Sequence, residues 1–124
     1  MAANKKEVFG PVALTATLTT NIIAPAAAGA GGVGYTATAT YILISQIRLV
    51  NKTAAAHNVT LYKGATGANV AGTEICFAKN VPANDYVDIF FAPFRLEGAS
   101  GFIVGGADAI TSITLTAMGE LGLV

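Results

Sequence analysis

Ser112-Ile113-Thr114-Leu115-Thr116-Ala117-Met118 alternates apolar and polar side chains one by one. Successive side chains of an extended chain point to opposite faces, so a period of two marks a strand with one face buried and the other wet. Ile113, Leu115 and Ala117 are expected inward. Thr114 and Thr116 are expected outward, where threonine suits a pleated, solvated surface.

The same period recurs upstream. In residues 86–91, Val87, Ile89 and Phe91 form one apolar face, and Phe90 lies opposite beside Tyr86 and Asp88. Pro93 closes this strand or confines it to a sheet edge, because proline donates no backbone hydrogen bond. Residues 94–96 and 102–104 read as short strands, and 73–79 as a further one. Residues 57–63 form a strand with Val59 and Leu61 inward and Thr60 and Tyr62 outward. Residues 42–51 form a long strand with Ile47 and Leu49 on one face and Arg48 and Val50 on the other. Tyr35, Ala37, Ala39 and Tyr41 oppose Thr36, Thr38 and Thr40. The phase between these last two segments is not continuous, and a bulge near Tyr41 accounts for it. Val12, Leu14, Ala16 and Leu18 alternate with Ala13, Thr15, Thr17 and Thr19 and are expected to form the first strand.

The connections carry turn chemistry. Residues 24–34 are a low-complexity Ala/Gly loop. Residues 51–56 and 64–72 are further connections, and Val81-Pro82-Ala83-Asn84-Asp85 has the residues of a tight turn. No segment shows a sustained helical period. About eight short strands predict an all-β class: one β-sandwich or jelly-roll-like domain over residues 11–124. Residues 1–10 read as a flexible N-terminal arm, loose until it docks.

Only 11% of the 124 residues are charged, with seven Lys+Arg against seven Asp+Glu. An average soluble domain carries about 25%. The balance gives no electrostatic case for nucleic acid or an anionic membrane. No apolar stretch is long enough for a membrane helix, and no secretory leader is recognisable. A surface this poor in charge tends to associate, so partners are expected to cover much of it. Cys76 is the single cysteine. It fits a reducing cytosol and reads as a small core residue.

Few residues could carry chemistry. Gly29-x-Gly31-x-x-Gly34 matches a dinucleotide-loop pattern but lacks the strand before it and the helix after it. His57 is the only histidine and has no carboxylate near it in sequence. Asp85, Asp88, Glu97 and Asp108 read as solvated turn acids. The sequons at Asn51 and Asn58 read as chance matches. The expectation is a non-enzymatic chain with no cofactor and no metal. The candidate partner-binding residues are Lys5, Lys6, Val8 and Phe9 of the arm, Tyr35, the outward Phe90, and Leu121 and Leu123 of the apolar C-terminus. Aromatics are enriched in interface cores, which favours Phe90.

Arg48-Leu49-Val50-Asn51-Lys52-Thr53, then His57-Asn58-Val59-Thr60-Leu61-Tyr62, then Asn80-Val81-Pro82-Ala83-Asn84-Asp85 and the closing residues 112–120 resemble small β-sandwich virion proteins of tailed bacteriophages. The resemblance spans roughly residues 42–120 and is one of style. It implies a head decoration (cement) protein, assembled in the host cytoplasm and carried on the capsid surface of the virion. Such proteins commonly form homotrimers and clamp neighbouring copies of the major capsid protein. Tail, head–tail and fibre modules look related and remain alternatives. A carbohydrate-binding β-sandwich module is a further alternative, although the chain has no tryptophan to offer as a sugar platform.

Overall fold

The alternating segments pair into two antiparallel four-stranded sheets. A computed structural model describes residues 5–23, 39–65, 67–96 and 101–123. The strands are β1 (Lys5–Ala13), β2 (Asn21–Ile23), β3 (Ala39–Asn51), β4 (His57–Gly64), β5 (Glu74–Val81), β6 (Asp85–Leu96), β7 (Phe102–Ala107) and β8 (Ile113–Leu123). Sheet A has the order β1-β8-β3-β6 and sheet B the order β2-β7-β4-β5. The pairs β1–β8, β2–β7, β3–β6 and β4–β5 are nested antiparallel partners, as if one long hairpin with its tip between β4 and β5 had been wound across itself.

The core lies between the sheets. Sheet A contributes Phe9, Ile42, Ile44, Ile47, Leu49, Leu96, Ile113, Leu115 and Ala117; sheet B contributes Ile22, Ile23, Val59, Leu61, Val81 and Ile103. Each fully buried Ile, Leu or Phe side chain is worth about 1.5–3 kcal/mol of transfer free energy. Ile113, Leu115 and Ala117 are inward as the alternation requires, and so are Ile47 and Leu49.

Two register shifts set the phase of β3. One falls between Ala39 and Tyr41, where the sequence calls for a bulge. The other inserts Ser45 as an extra residue against β8, so Ile44 and Ile47 both face inward. Gly119 sits opposite Ile44 at this bulge. A Cβ there would overlap the Leu43 carbonyl oxygen, so the close approach of β8 to β3 requires glycine.

Several expectations are corrected. Residues 5–10, read as part of an arm, form the first two-thirds of β1 and pair with β8 from Lys5↔Leu121 to Phe9↔Ala117. The predicted strand from Val12 to Thr19 ends at Ala13, and residues 14–20 form a connection. Threonine hydroxyls explain the difference. Thr15 and Thr20 hydroxyls bond each other at 2.6 Å, and Thr20 Oγ1 donates to Thr17 O at 2.9 Å. Such local bonds compete with a sheet ladder. Residues 86–91 and 94–96 are one strand, β6, which lies at a sheet edge and so accommodates Pro93. Thr60 and Tyr62 face away from the main core, yet both are buried, as are Phe102 and Val104 beside them. The Thr15 and Thr17 carbonyls lie directly on Gly106, and Gly67 N–H donates to Asn21 Oδ1 at 2.9 Å. Connections of the chain thus pack on the outer side of sheet B. The predicted loop 24–34, its glycine pattern and Tyr35 lie outside the described residues.

Candidate functional site: the outer face of sheet A

Sheet A keeps its outer side open among the described residues. Arg48 and Asp88 are direct cross-strand partners on β3 and β6. Arg48 Nε donates to Asp88 Oδ1 at 2.7 Å and Nη2 to Oδ2 at 2.8 Å. This two-point geometry fixes both side chains. The hydrogen bond from Arg48 holds the Asp88 carboxyl below its ordinary value, and Asp88 in turn raises Arg48. The Arg48 guanidinium also lies 4.6 Å from the Tyr86 ring centroid, a cation–π contact.

Tyr86 and Phe90 flank Asp88 on the same face of β6. Tyr86 is 53% exposed and Phe90 72%. The two aromatics stand four residues apart, roughly 13 Å along a strand. Gln46, Val50, Thr114, Thr116 and Met118 lie half-exposed around them. At the β6 end carrying Tyr86, an open groove of about 620 Å³ is lined by Arg48, Val50, Lys52, Asn84, Asp85 and Tyr86.

The groove rests on two turns tied together by Asn51, which is fully buried. Its amide donates to the Ala55 carbonyl at 2.9 Å and the Val81 carbonyl at 3.0 Å. Its Oδ1 accepts from Thr53 N–H at 2.8 Å and the Thr53 hydroxyl at 2.7 Å. Asn84 N–H then donates to Thr53 O at 3.0 Å. Asn51 is therefore a structural residue whose amide has no room for a glycan, which removes one sequon. Asn58, the other, is exposed and accepts from Asn80 Nδ2 at 3.2 Å.

Of the residues chosen from sequence, Phe90 is where alternation put it. Phe9 is corrected: its side chain is 1% exposed and packs in the core, so it cannot anchor a partner. Lys5, Lys6 and Val8 lie on β1, and Leu121 and Leu123 on β8, so the backbone pairing brings the two ends of the chain together. Phe90 sits across β3 from them, on the opposite edge strand. The Arg48–Asp88 pair and the Tyr86 groove were not found from sequence, because their partners meet only once the β3–β6 register is fixed.

His57 does have a carboxylate partner, which corrects the sequence reading. Its Nδ1 lies 2.6 Å from Asp108 Oδ1, and Asp108 Oδ2 accepts from Asn58 N–H at 3.1 Å. Burial works against the Asp108 charge, but the hydrogen bonds from Asn58 and His57 outweigh it and lower its pKa. This pair ties the β7–β8 connection to the start of β4. Burial pushes the Cys76 thiol up, so it is a poor nucleophile. Among the described residues no group of three or more His, Cys, Asp or Glu side chains converges to hold a metal.

No protein-family model, curated protein or solved structure matches the chain.

Proposed function

We propose that this chain is a non-enzymatic structural protein of a tailed-phage virion. It acts as a decoration protein that seats the outer face of sheet A on the outside of the capsid and clamps adjacent major capsid proteins. The observation that carries the reading is Phe90. It is a large aromatic, 72% exposed, on a sheet face that the chain's own described connections leave open. Aromatic side chains of this kind anchor interface cores.

The edges of the sandwich support docking by a face over strand addition. The β6 edge carries Pro93 and a register irregularity across residues 91–93. The β5 edge carries two register shifts, β1 one around Gly10 and Pro11, and β2 has only three residues. Short, bulged or proline-bearing edges discourage pairing with another chain. The low charge suits close contacts that salt screens little. We read the nested winding of the strands as a jelly roll, an architecture that viral capsid and lectin domains share.

The mechanism is mass action. A protein that binds the assembled lattice but not loose subunits stabilises the lattice. Binding as a homotrimer would multiply each modest contact. Cryo-EM of heads mixed with the purified protein tests this. Density over the outer capsid surface, with sheet A facing inward, is expected. Density only on tails or fibres, or none on any particle, overturns the reading.

A further inference from the structure

The groove beside Tyr86 lies at the turn end of sheet A, where β3 ends and β6 begins, roughly 13 Å along β6 from Phe90. From its lining we propose a second site, which binds a short neutral oligosaccharide. Sugar hydroxyls both donate and accept, so they need donor and acceptor side chains around one aromatic ring. Its C–H face needs that ring for apolar contact.

The groove supplies both kinds of group. Tyr86 is half-exposed, and Arg48, itself held by Asp88, braces one face of its ring. Asp85 lines the groove, and its Oδ1 accepts Tyr86 N–H at 2.7 Å. The Asn84 carboxamide and the Lys52 ammonium have no side-chain partner among the described residues. Of the two cations in the lining, Arg48 is neutralised by its pair with Asp88, which does not itself line the groove, and Lys52 is matched in number by Asp85. That balance disfavours polyanionic ligands, nucleic acid among them.

The walls are pre-formed. Asn51 and the Asn84–Thr53 bond lock the two turns together, so little ordering is left for a ligand to drive. Asn84 holds a positive φ of 54° within its turn, which fixes where its side chain departs. The open, shallow shape fits weak binding, with a dissociation constant of about 1 mM.

Titration of the full-length ¹⁵N-labelled protein with cellotetraose, maltotetraose and tetra-N-acetylchitotetraose tests the site. At least one is expected to saturate shifts of the Lys52, Asn84, Asp85 and Tyr86 amides. Tyr86→Ala and Asn84→Ala should each weaken binding about tenfold or more. Amide spectra of both variants should otherwise match the parent, which separates lost binding from lost fold. Phe90→Ser should bind the sugar as the parent does, since Phe90 does not line the groove. The proposal is overturned if none of the three sugars shifts these amides, if shifts centre elsewhere, or if Tyr86→Ala binds equally well. It is also overturned if only an unstructured peptide, and no sugar, occupies the groove.

Discussion

Asn51 and Val81 join the two sheets: the Asn51 amide at the end of β3 in sheet A donates to the Val81 carbonyl at the end of β5 in sheet B, 3.0 Å away and buried. Asn51 satisfies four groups in all, in two turns. Asn51→Leu would strand the Val81 carbonyl and the Thr53 N–H without partners. Each orphaned buried group costs about 1–3 kcal/mol, so a loss of roughly 2–5 kcal/mol is expected. Urea unfolding of the variant against the parent measures it. A loss below about 1 kcal/mol would show that the turns hold without Asn51.

Gly105 in β7 sits at φ 150°, and a Cβ there would overlap the Thr60 carbonyl on β4. Backbone, not a flexible side-chain tip, is in the way. Gly105→Ala should therefore cost about 3 kcal/mol or more, or prevent folding. Thermal melting and expression yield report the effect.

The Asp108 clamp gives stability a pH dependence of known sign. Its carboxyl is held below the ordinary aspartate value of 3.8 in the folded state. A depressed pKa contributes stability that is fully present above that ordinary value and fades as pH falls through the lower folded value. Asp88 acts in the same sense. Acidification below about pH 4 should therefore destabilise the parent more steeply than Asp108→Asn, whose neutral side chain no longer titrates. Chemical denaturation at a series of pH values from neutral to about 3 compares the two slopes. Equal slopes would remove the clamp from the account.

The legible part of this fold is the part where burial and alternation coincide. Ile47 and Leu49 in β3, Val59 and Leu61 in β4, Val87 and Ile89 in β6, and Ile113, Leu115 and Ala117 in β8 each sit on the face their period assigns. The N-terminal half was less readable. Lys5, Lys6 and Glu7 looked like a solvated arm, yet an edge strand can carry charges while its backbone pairs with β8. Val12, Leu14, Ala16 and Leu18 alternating with Ala13, Thr15, Thr17 and Thr19 looked like a strand; Leu14 does reach the core, but beyond Ala13 the threonine hydroxyls found local partners instead of a sheet ladder. Removing residues 2–9 would therefore take away most of β1 together with core Phe9 and lower stability. It would not simply clip a free tail.

The site was legible only by its most local feature. Phe90 is outward because it falls between Ile89 and Phe91, a fact of two neighbours. Arg48 and Asp88 are 40 residues apart, and His57 and Asp108 are 51 apart. Those pairs depend on strand order and register, which alternation leaves undetermined.

Co-sedimentation of purified Phe90→Ser with undecorated phage heads tests the docking face most directly. The variant should fail to pellet with the heads while melting within about 2 °C of the parent, since an exposed substitution barely moves stability. Undiminished pelleting of Phe90→Ser, or a parent protein that never pellets with heads, would contradict the proposed role.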